Sequence, residues 1–336
     1  MSRSFITGVA FGAALTTAGI HQPAVIVAQM KMQDWHMVTT FLTASGTSTL
    51  LVTILQRFGY MNLPPRGCSS LELFTPFDGN IIGGWLLGAG MALSGACPGT
   101  VFSQVGSGVR SSIYTLVGTT LGGIVWSGIL RPVVLGRRSK RVEKADTEKP
   151  KLKPSLTLSE QLGLSQIGTF IAVEAAFASA IAAVVYLASP ESSGLVSPVV
   201  GGLLVAGAQA VSIATRRNLL GTSSCFEEIG DYFWWALRGG TSTAKPKSCG
   251  AITLTMGMVV GALAVSLVSP AGRAIPEISI APIRAISGGL LLAVGSRMAG
   301  GCTSGHGISG ISLLSVSSFV TVASMFVGGM GLAAVM

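Results

Sequence analysis

The chain has 336 residues, of which 49% are hydrophobic and only 10% charged, against roughly a quarter in an ordinary soluble protein. Twelve of its 35 charged residues fall between Arg137 and Glu160, leaving 23 for the other 312 positions. That is too little charge to solvate a water-exposed surface, which speaks against a soluble enzyme, a disordered chain and a nucleic-acid binder. The net charge of +9 therefore reads as membrane topology.

Taken in order, the chain alternates broken and unbroken apolar segments. Residues 4–30 are apolar but interrupted around Thr16–Pro23, and 36–56 form an uninterrupted span. Residues 80–109 break at Ser94–Thr100, and 111–131 span again. A basic linker follows. Then come a span at 165–188, a segment 197–236 broken at Asn218–Cys225 and a span at 250–269. Last are 284–317, broken at Gly300–Gly307, and a span at 318–336. The halves of each broken segment, about 10 to 17 residues, are too short to cross a hydrocarbon core of about 30 Å. Arg3 followed by Phe5–Leu15 resembles the start of a secretory signal, but this run belongs to a repeat and is read as part of the bundle.

The repeat appears on shifting the chain by 205 residues. Gly83–Gly90 then falls on Gly288–Gly295, Gly95 on Gly300 and Cys97 on Cys302, with seven identities in the fifteen positions from Gly83 to Cys97. The expected organisation is a first membrane half at 1–134, a cytoplasmic linker at 135–162 and a second membrane half at 163–336. If each broken segment is a re-entrant hairpin returning to the side it entered, residues 57–77 lie opposite the linker. Equivalent hairpins then face opposite sides, the inverted arrangement of many transporters. The fold class is thus an all-α polytopic membrane protein, an inverted repeat with four broken or re-entrant helices whose loops meet near the membrane centre.

Two of these loops carry chemistry. Each presents a cysteine, Cys97 or Cys302, in a glycine-rich turn, with Gly95 and Gly301 permitting close backbone approach. Thr100 and Ser103, or Thr303 and Ser304, supply hydroxyls and helix-start N–H groups that favour an anion. A small anion with a soft atom suits such a site, since a thiol is a weak donor to sulfur. Cys225 is a further candidate, standing opposite Ile20 of the first loop, where His21 is a possible anion donor; Cys68 and Cys249 lie in connecting segments and read as incidental.

Other groups have competing readings. Cys302 and His306, four apart, suggest a metal pair, but no closed ligand set surrounds them, and His306 reads instead as a local hydrogen-bonding or path-lining group. Arg297, an intramembrane charge, either attracts the anion, snorkels to an interface or pairs with a carboxylate such as Glu174. Glu227 and Glu228 read as first-turn carboxylates of the following helix. No metal, cofactor or nucleotide-binding loop is expected.

The string Gly300-Gly301-Cys302-Thr303-Ser304-Gly305-His306-Gly307-Ile308-Ser309-Gly310, with Ser94-Gly95-Ala96-Cys97-Pro98-Gly99, resembles the YeeE/YedE family of sulfur-transport membrane proteins. The resemblance covers nearly the whole chain except the linker. It implies an hourglass-shaped helical protein with four central loops and a thiosulfate path past cysteines whose S–H groups bond the substrate transiently. Cys97 and Cys302 match such relay cysteines, whereas Ile20-His21 stands where the family's importers have a first-loop cysteine. The expected function is transport, not catalysis: passage of thiosulfate or a related anion across the bilayer, with a sulfurtransferase-type partner on the cytoplasmic side. The rival reading is a membrane sulfurtransferase carrying a persulfide on Cys97 or Cys302.

Overall fold

The computed structural model describes residues 2–145, 155–188, 194–240, 245–246, 248–269 and 278–336, and within them the chain is helical, with one isolated antiparallel bridge between Thr157 and Ser315. The first half holds α1 (Ser2–Thr17), α2 (Pro23–Met30), α3 (His36–Arg57), α4 (Asp78–Ser94), α5 (Thr100–Gly106) and α6 (Arg110–Val125). A π-helical turn at Trp126–Leu130 leads into α7 (Arg131–Ala145), and α8 (Leu158–Leu162) follows. The second half is α9 (Gln166–Ala188), α10 (Pro198–Arg216), α11 (Ser224–Leu237), α12 (Gly250–Val268), α13 (Pro282–Met298) and α14 (Val316–Ala333). Between the last two lie a π-helical segment, Thr303–Gly310, and a 3-10 turn, Ile311–Leu313.

Six helices among the described residues are long and apolar enough to cross a membrane: His36–Arg57, Arg110–Arg137, Gln166–Ala188, Pro198–Arg216, Gly250–Val268 and Val316–Ala333. Five match the expected spans. The sixth, α10, corrects the expectation that every arm of a broken segment is short, since its 19 residues rise about 28 Å. Pro282–Met298 and Thr303–Leu313 form a pair bent by 43° at the break.

Glycines set which helices touch. On α4 and α13, a Cβ at Gly83 would lie 2.6 Å from the Gly295 carbonyl oxygen, and one at Gly90 would lie 2.8 Å from that of Gly288. The two helices are therefore antiparallel, and they meet through positions that the 205-residue shift makes equivalent. α6 runs alongside α13 in the same direction, Gly118 against Ile286 and Gly122 against Leu290 and Ala293. α1 lies against α12 through Gly8, Gly12, Gly257 and Gly261, so the apolar run after Arg3 packs into the bundle. Such close contacts let dispersion hold helices together where lipid supplies no hydrophobic drive.

Helix direction revises the expected topology. Residues 57–77 and the end of the linker share one end of the bundle: the Arg66 N–H donates to Ser315 Oγ (2.8 Å), and the Leu158 N–H donates to the Leu314 carbonyl (2.8 Å). We call this the linker end. α4 leaves it, antiparallel to α13, and α6, parallel to α13, comes back towards it. The break at 95–99 and α5 therefore carry the chain onward to the far end. Segment 80–109 thus begins and ends at opposite ends of the bundle, where a hairpin with both ends on one side is expected. α4, at 17 residues, by itself rises about 25 Å.

Candidate functional site

The four long first arms, α1, α4, α10 and α13, are each followed by a residue in the left-handed region: Gly19 (φ 76°), Gly95 (φ 60°), Arg217 (φ 51°) and Gly300 (φ 81°). Gly95 and Gly300 are repeat equivalents, each two residues before a cysteine. The left-handed turn ends the helix sharply, and N–H groups such as those of Gly95, Arg217 and Gly301 bond back to its last carbonyls.

In the second loop Cys97 is buried, its backbone N–H donates to Thr100 Oγ1 (2.7 Å), and the Thr100 N–H donates to Cys97 Sγ (3.3 Å). In the fourth loop Cys302 is wholly buried, with Sγ 3.3 Å from Ser304 Oγ and 3.4 Å from Thr222 Oγ1. Thr222 belongs to the third loop and also flanks the second: a Cβ at Gly99 would be 3.7 Å from Thr222 Oγ1 and 3.8 Å from Cys97 Sγ. One threonine hydroxyl thus stands between the two cysteine loops, and the missing side chain of Gly99 leaves the gap between Cys97 and Thr222.

Side-chain amides and hydroxyls join the remaining loops. Gln104 Nε2 donates to the carbonyls of His21 (2.8 Å) and Gly95 (2.7 Å), tying the first loop to the second. Its repeat equivalent, Ser309, donates to the Leu220 carbonyl (2.6 Å) and lies 3.2 Å from Gln209 Oε1, tying the fourth loop to the third. Ser45 on α3 donates to the Gly307 carbonyl (3.0 Å).

Some of the buried polar atoms without a hydrogen-bond partner belong to the residues of these loops: both ring nitrogens of His21, Ser103 Oγ, Gln104 Oε1 and Gln209 Nε2. A buried donor left unmade costs about 1–3 kcal/mol. Ser103, Gln209 and one nitrogen of His21 are donors, whereas Gln104 Oε1 is an acceptor.

The other expected site residues fall as follows. Thr303 is buried in the π-helical segment, and Gly301 has no room for a side chain, its Cβ position lying 2.8 Å from the His306 ring. His306 Nε2 contacts the Ala299 carbonyl (3.1 Å), so it carries the proton, and Nδ1 accepts from Ser318 Oγ (2.9 Å). Both nitrogens are engaged, so His306 clamps its loop and has no lone pair for a metal shared with Cys302. Among the described residues no three His, Cys, Asp or Glu side chains converge as metal ligands.

Arg297 pairs with Glu227, not with Glu174, which faces Gly46 on α3. Glu227 also binds Arg131 (2.8 Å), and Asp231 accepts from the same arginine (2.6 Å). Arg297 is therefore part of an ion-pair network linking α7, α11 and α13, and not a free anion attractor. Glu228 caps α12, accepting from the Ala251 and Ile252 N–H groups (3.0 and 2.9 Å). Cys225 is buried with its thiol on Thr255 Oγ1 (3.2 Å).

The sequence does not single out Thr222, Gln104 or Gln209, which join the loops. The repeat offered a signal for one, since Gln104 is the counterpart of Ser309 inside the eleven-residue string; for Thr222 nothing in local spacing distinguishes it from its neighbours.

Apolar crossing helices with interrupted partners define an integral, multi-pass membrane protein of the transporter class. The chain belongs to the sulphur-transport family, whose model matches residues 17–331. It is 23% identical to the thiosulfate transporter TsuA of Spirochaeta thermophila over 96% of this chain and 94% of that protein. It is also 30% identical to a probable transporter of Xylella fastidiosa over 41% of this chain and 93% of that protein, so that relative corresponds in length to one half of this one.

Proposed function

We propose that this protein carries thiosulfate or a closely related sulfur oxyanion across the membrane, passing it along the central loops by way of Cys97 and Cys302. The observation that carries the reading is the Thr222 hydroxyl set 3.4 Å from Cys302 Sγ and beside the gap at Gly99 next to Cys97. A dianion there meets thiols and hydroxyls, each weak enough to release it, which conduction requires. His21 and Ser103 serve the approach from the far end, and Ser304 and Thr303 the departure beyond Cys302.

The repeat is inverted in this reading. Support comes from the antiparallel contact of α4 with α13 through equivalent glycines. The linker end is cytoplasmic, since it collects Arg57, Arg131, Arg216 and Arg217 together with the basic linker. Import then ends on the side where a sulfurtransferase-type partner would consume the anion.

The test is uptake of labelled thiosulfate into proteoliposomes holding the full chain, followed by intact mass measurement of the protein. Saturable uptake with unmodified cysteines is the expected result. No uptake above protein-free vesicles would refute the reading, and a stable gain of one sulfur atom on Cys97 or Cys302 would favour the sulfurtransferase instead.

A further inference from the structure

Segment 58–77 reads from sequence as a plain connector, yet it lays an arginine across the fourth loop. The Arg66 backbone is held at both ends, its N–H by Ser315 Oγ (2.8 Å) and its carbonyl by the Ser317 hydroxyl (3.1 Å). From that anchor the side chain lies over the glycine string. A Cβ at Gly310 would be 3.0 Å from Arg66 Cδ, one at Gly301 would be 2.9 Å from Nη1, and one at Gly305 would be 3.5 Å from Nη2. Gly221 of the third loop faces the same nitrogen, 4.0 Å away on the same measure. Three glycines of the eleven-residue string therefore form a bed for a guanidinium that reaches between the third and fourth loops, next to Cys302.

That guanidinium is nearly unspent. Of its five N–H donors one is used among the described residues, Nη1 to the Gly300 carbonyl (3.2 Å), and no carboxylate among them pairs with it. The neighbouring cation Arg297 is neutralised by Glu227, so among the described residues the unpaired cation against the Cys302 loop is Arg66. Stapling the connector does not explain it, because the two backbone hydrogen bonds already do that. A planar fork of free donors is the geometry that binds two oxygens of an oxyanion at once.

We propose that Arg66 is the anion-holding residue at the linker end of the path, gripping the oxygens of a tetrahedral sulfur dianion while its outer sulfur faces Cys302. The inference rests on the transport reading and deepens it by adding a residue that selects for charge and shape. Weak thiol contacts alone would not discriminate a dianion from chloride, whereas a bidentate guanidinium does.

Two variants of the full chain, Arg66→Gln and Arg66→Lys, test this in two assays. In proteoliposomes Arg66→Gln is expected to raise the KM for thiosulfate roughly tenfold or more, with a smaller change in the saturated rate, as loss of a charged hydrogen-bonding group predicts. Arg66→Lys, keeping the charge without the fork, should fall between. In detergent, thiosulfate should raise the melting temperature of the parent and of Arg66→Lys but not that of Arg66→Gln. KM values for both variants within twofold of the parent, with thiosulfate still stabilising Arg66→Gln, would overturn the assignment. If the parent shows no uptake yet its stabilisation by thiosulfate is lost in Arg66→Gln, the anion site stands and the transport reading fails.

Discussion

Replacing Cys302 by alanine should lower thiosulfate uptake roughly tenfold, and Cys97→Ala should do the same, with little change in thermal stability. Each thiol contributes a weak hydrogen bond to a charged ligand, and 1.4 kcal/mol corresponds to about one decade. The two sites are not equally placed. Cys302 has hydroxyls of Ser304 and Thr222 on either side, so its removal disturbs two loops at once. Cys97 is held mainly through its own helix start, by Thr100. We therefore expect the larger loss at Cys302, partly restored in Cys302→Ser, which keeps a donor in nearly the same place. Cys225→Ala should cost less, because that thiol is engaged by Thr255, and Cys68→Ala and Cys249→Ala should match the parent. Uptake rates at sub-saturating thiosulfate check the series; five equal values would remove the cysteines from the mechanism.

The largest loss of stability is expected at Gly88. A Cβ there would collide with the Met325 carbonyl oxygen and come within 2.7 Å of the Gly329 N–H nitrogen, both backbone atoms of α14. Backbone does not step aside as a flexible side chain can, so α4 and α14 would have to separate. Overpacking of this kind costs about 1–3 kcal/mol for a small group and more for a branched one. Gly88→Val should lower the melting temperature in detergent by at least about 5 °C or prevent a monodisperse preparation. Gly207→Ala is the control: that glycine lies within α10 with nothing within 4 Å of the added carbon, and gaining a better helix former should leave stability unchanged or raised by up to about 1 kcal/mol. Equal melting temperatures for Gly88→Val and the parent would contradict the packing described for α4 and α14.

Much of this arrangement can be read in the chain because it rests on local chemistry. The apolar spans announce themselves by length, and the duplicated Gly95 and Gly300 mark two helix ends whose left-handed turns the structure contains. What escaped reading depends on residues far apart in the chain. Thr222 meets Cys302 from 80 positions away, and Arg297 finds Glu227 from 70 away, contacts that periodicity and spacing do not encode. Arg66 was hidden for a different reason: it stands in a stretch rich in proline and serine without helical pattern, and only the folded connector brings it onto the glycine string. The course of segment 80–109 is not legible in the chain because a turn-rich interruption looks the same whether the chain turns back or continues. The glycine contacts between α4, α6 and α13 decide the matter.

Those glycines also unify fold and proposed mechanism. The small residues that let helices approach in lipid are the same kind that let Arg66, the His306 ring and Phe41 lie flat on the fourth loop. The ion-pair network of Arg131, Glu227, Asp231 and Arg297 fastens α11 and α13 to the first half close to that loop. The cysteines are thus carried on a braced frame, and the unpartnered polar atoms of His21, Ser103 and Gln209 are left within it.

The central claim is that the sulfur anion travels in contact with Cys97 and Cys302, and site-resolved thiol protection tests it most directly. Proteoliposomes would be treated with a small anionic methanethiosulfonate reagent, with and without saturating thiosulfate, and each cysteine's labelling rate read by peptide mass spectrometry. The account predicts that Cys97 and Cys302 react during turnover and are slowed severalfold by thiosulfate, while Cys68 reacts at the same rate in both conditions. Labelling of Cys97 and Cys302 that thiosulfate leaves unchanged, or failure of either to react in vesicles that are actively taking up substrate, would contradict it.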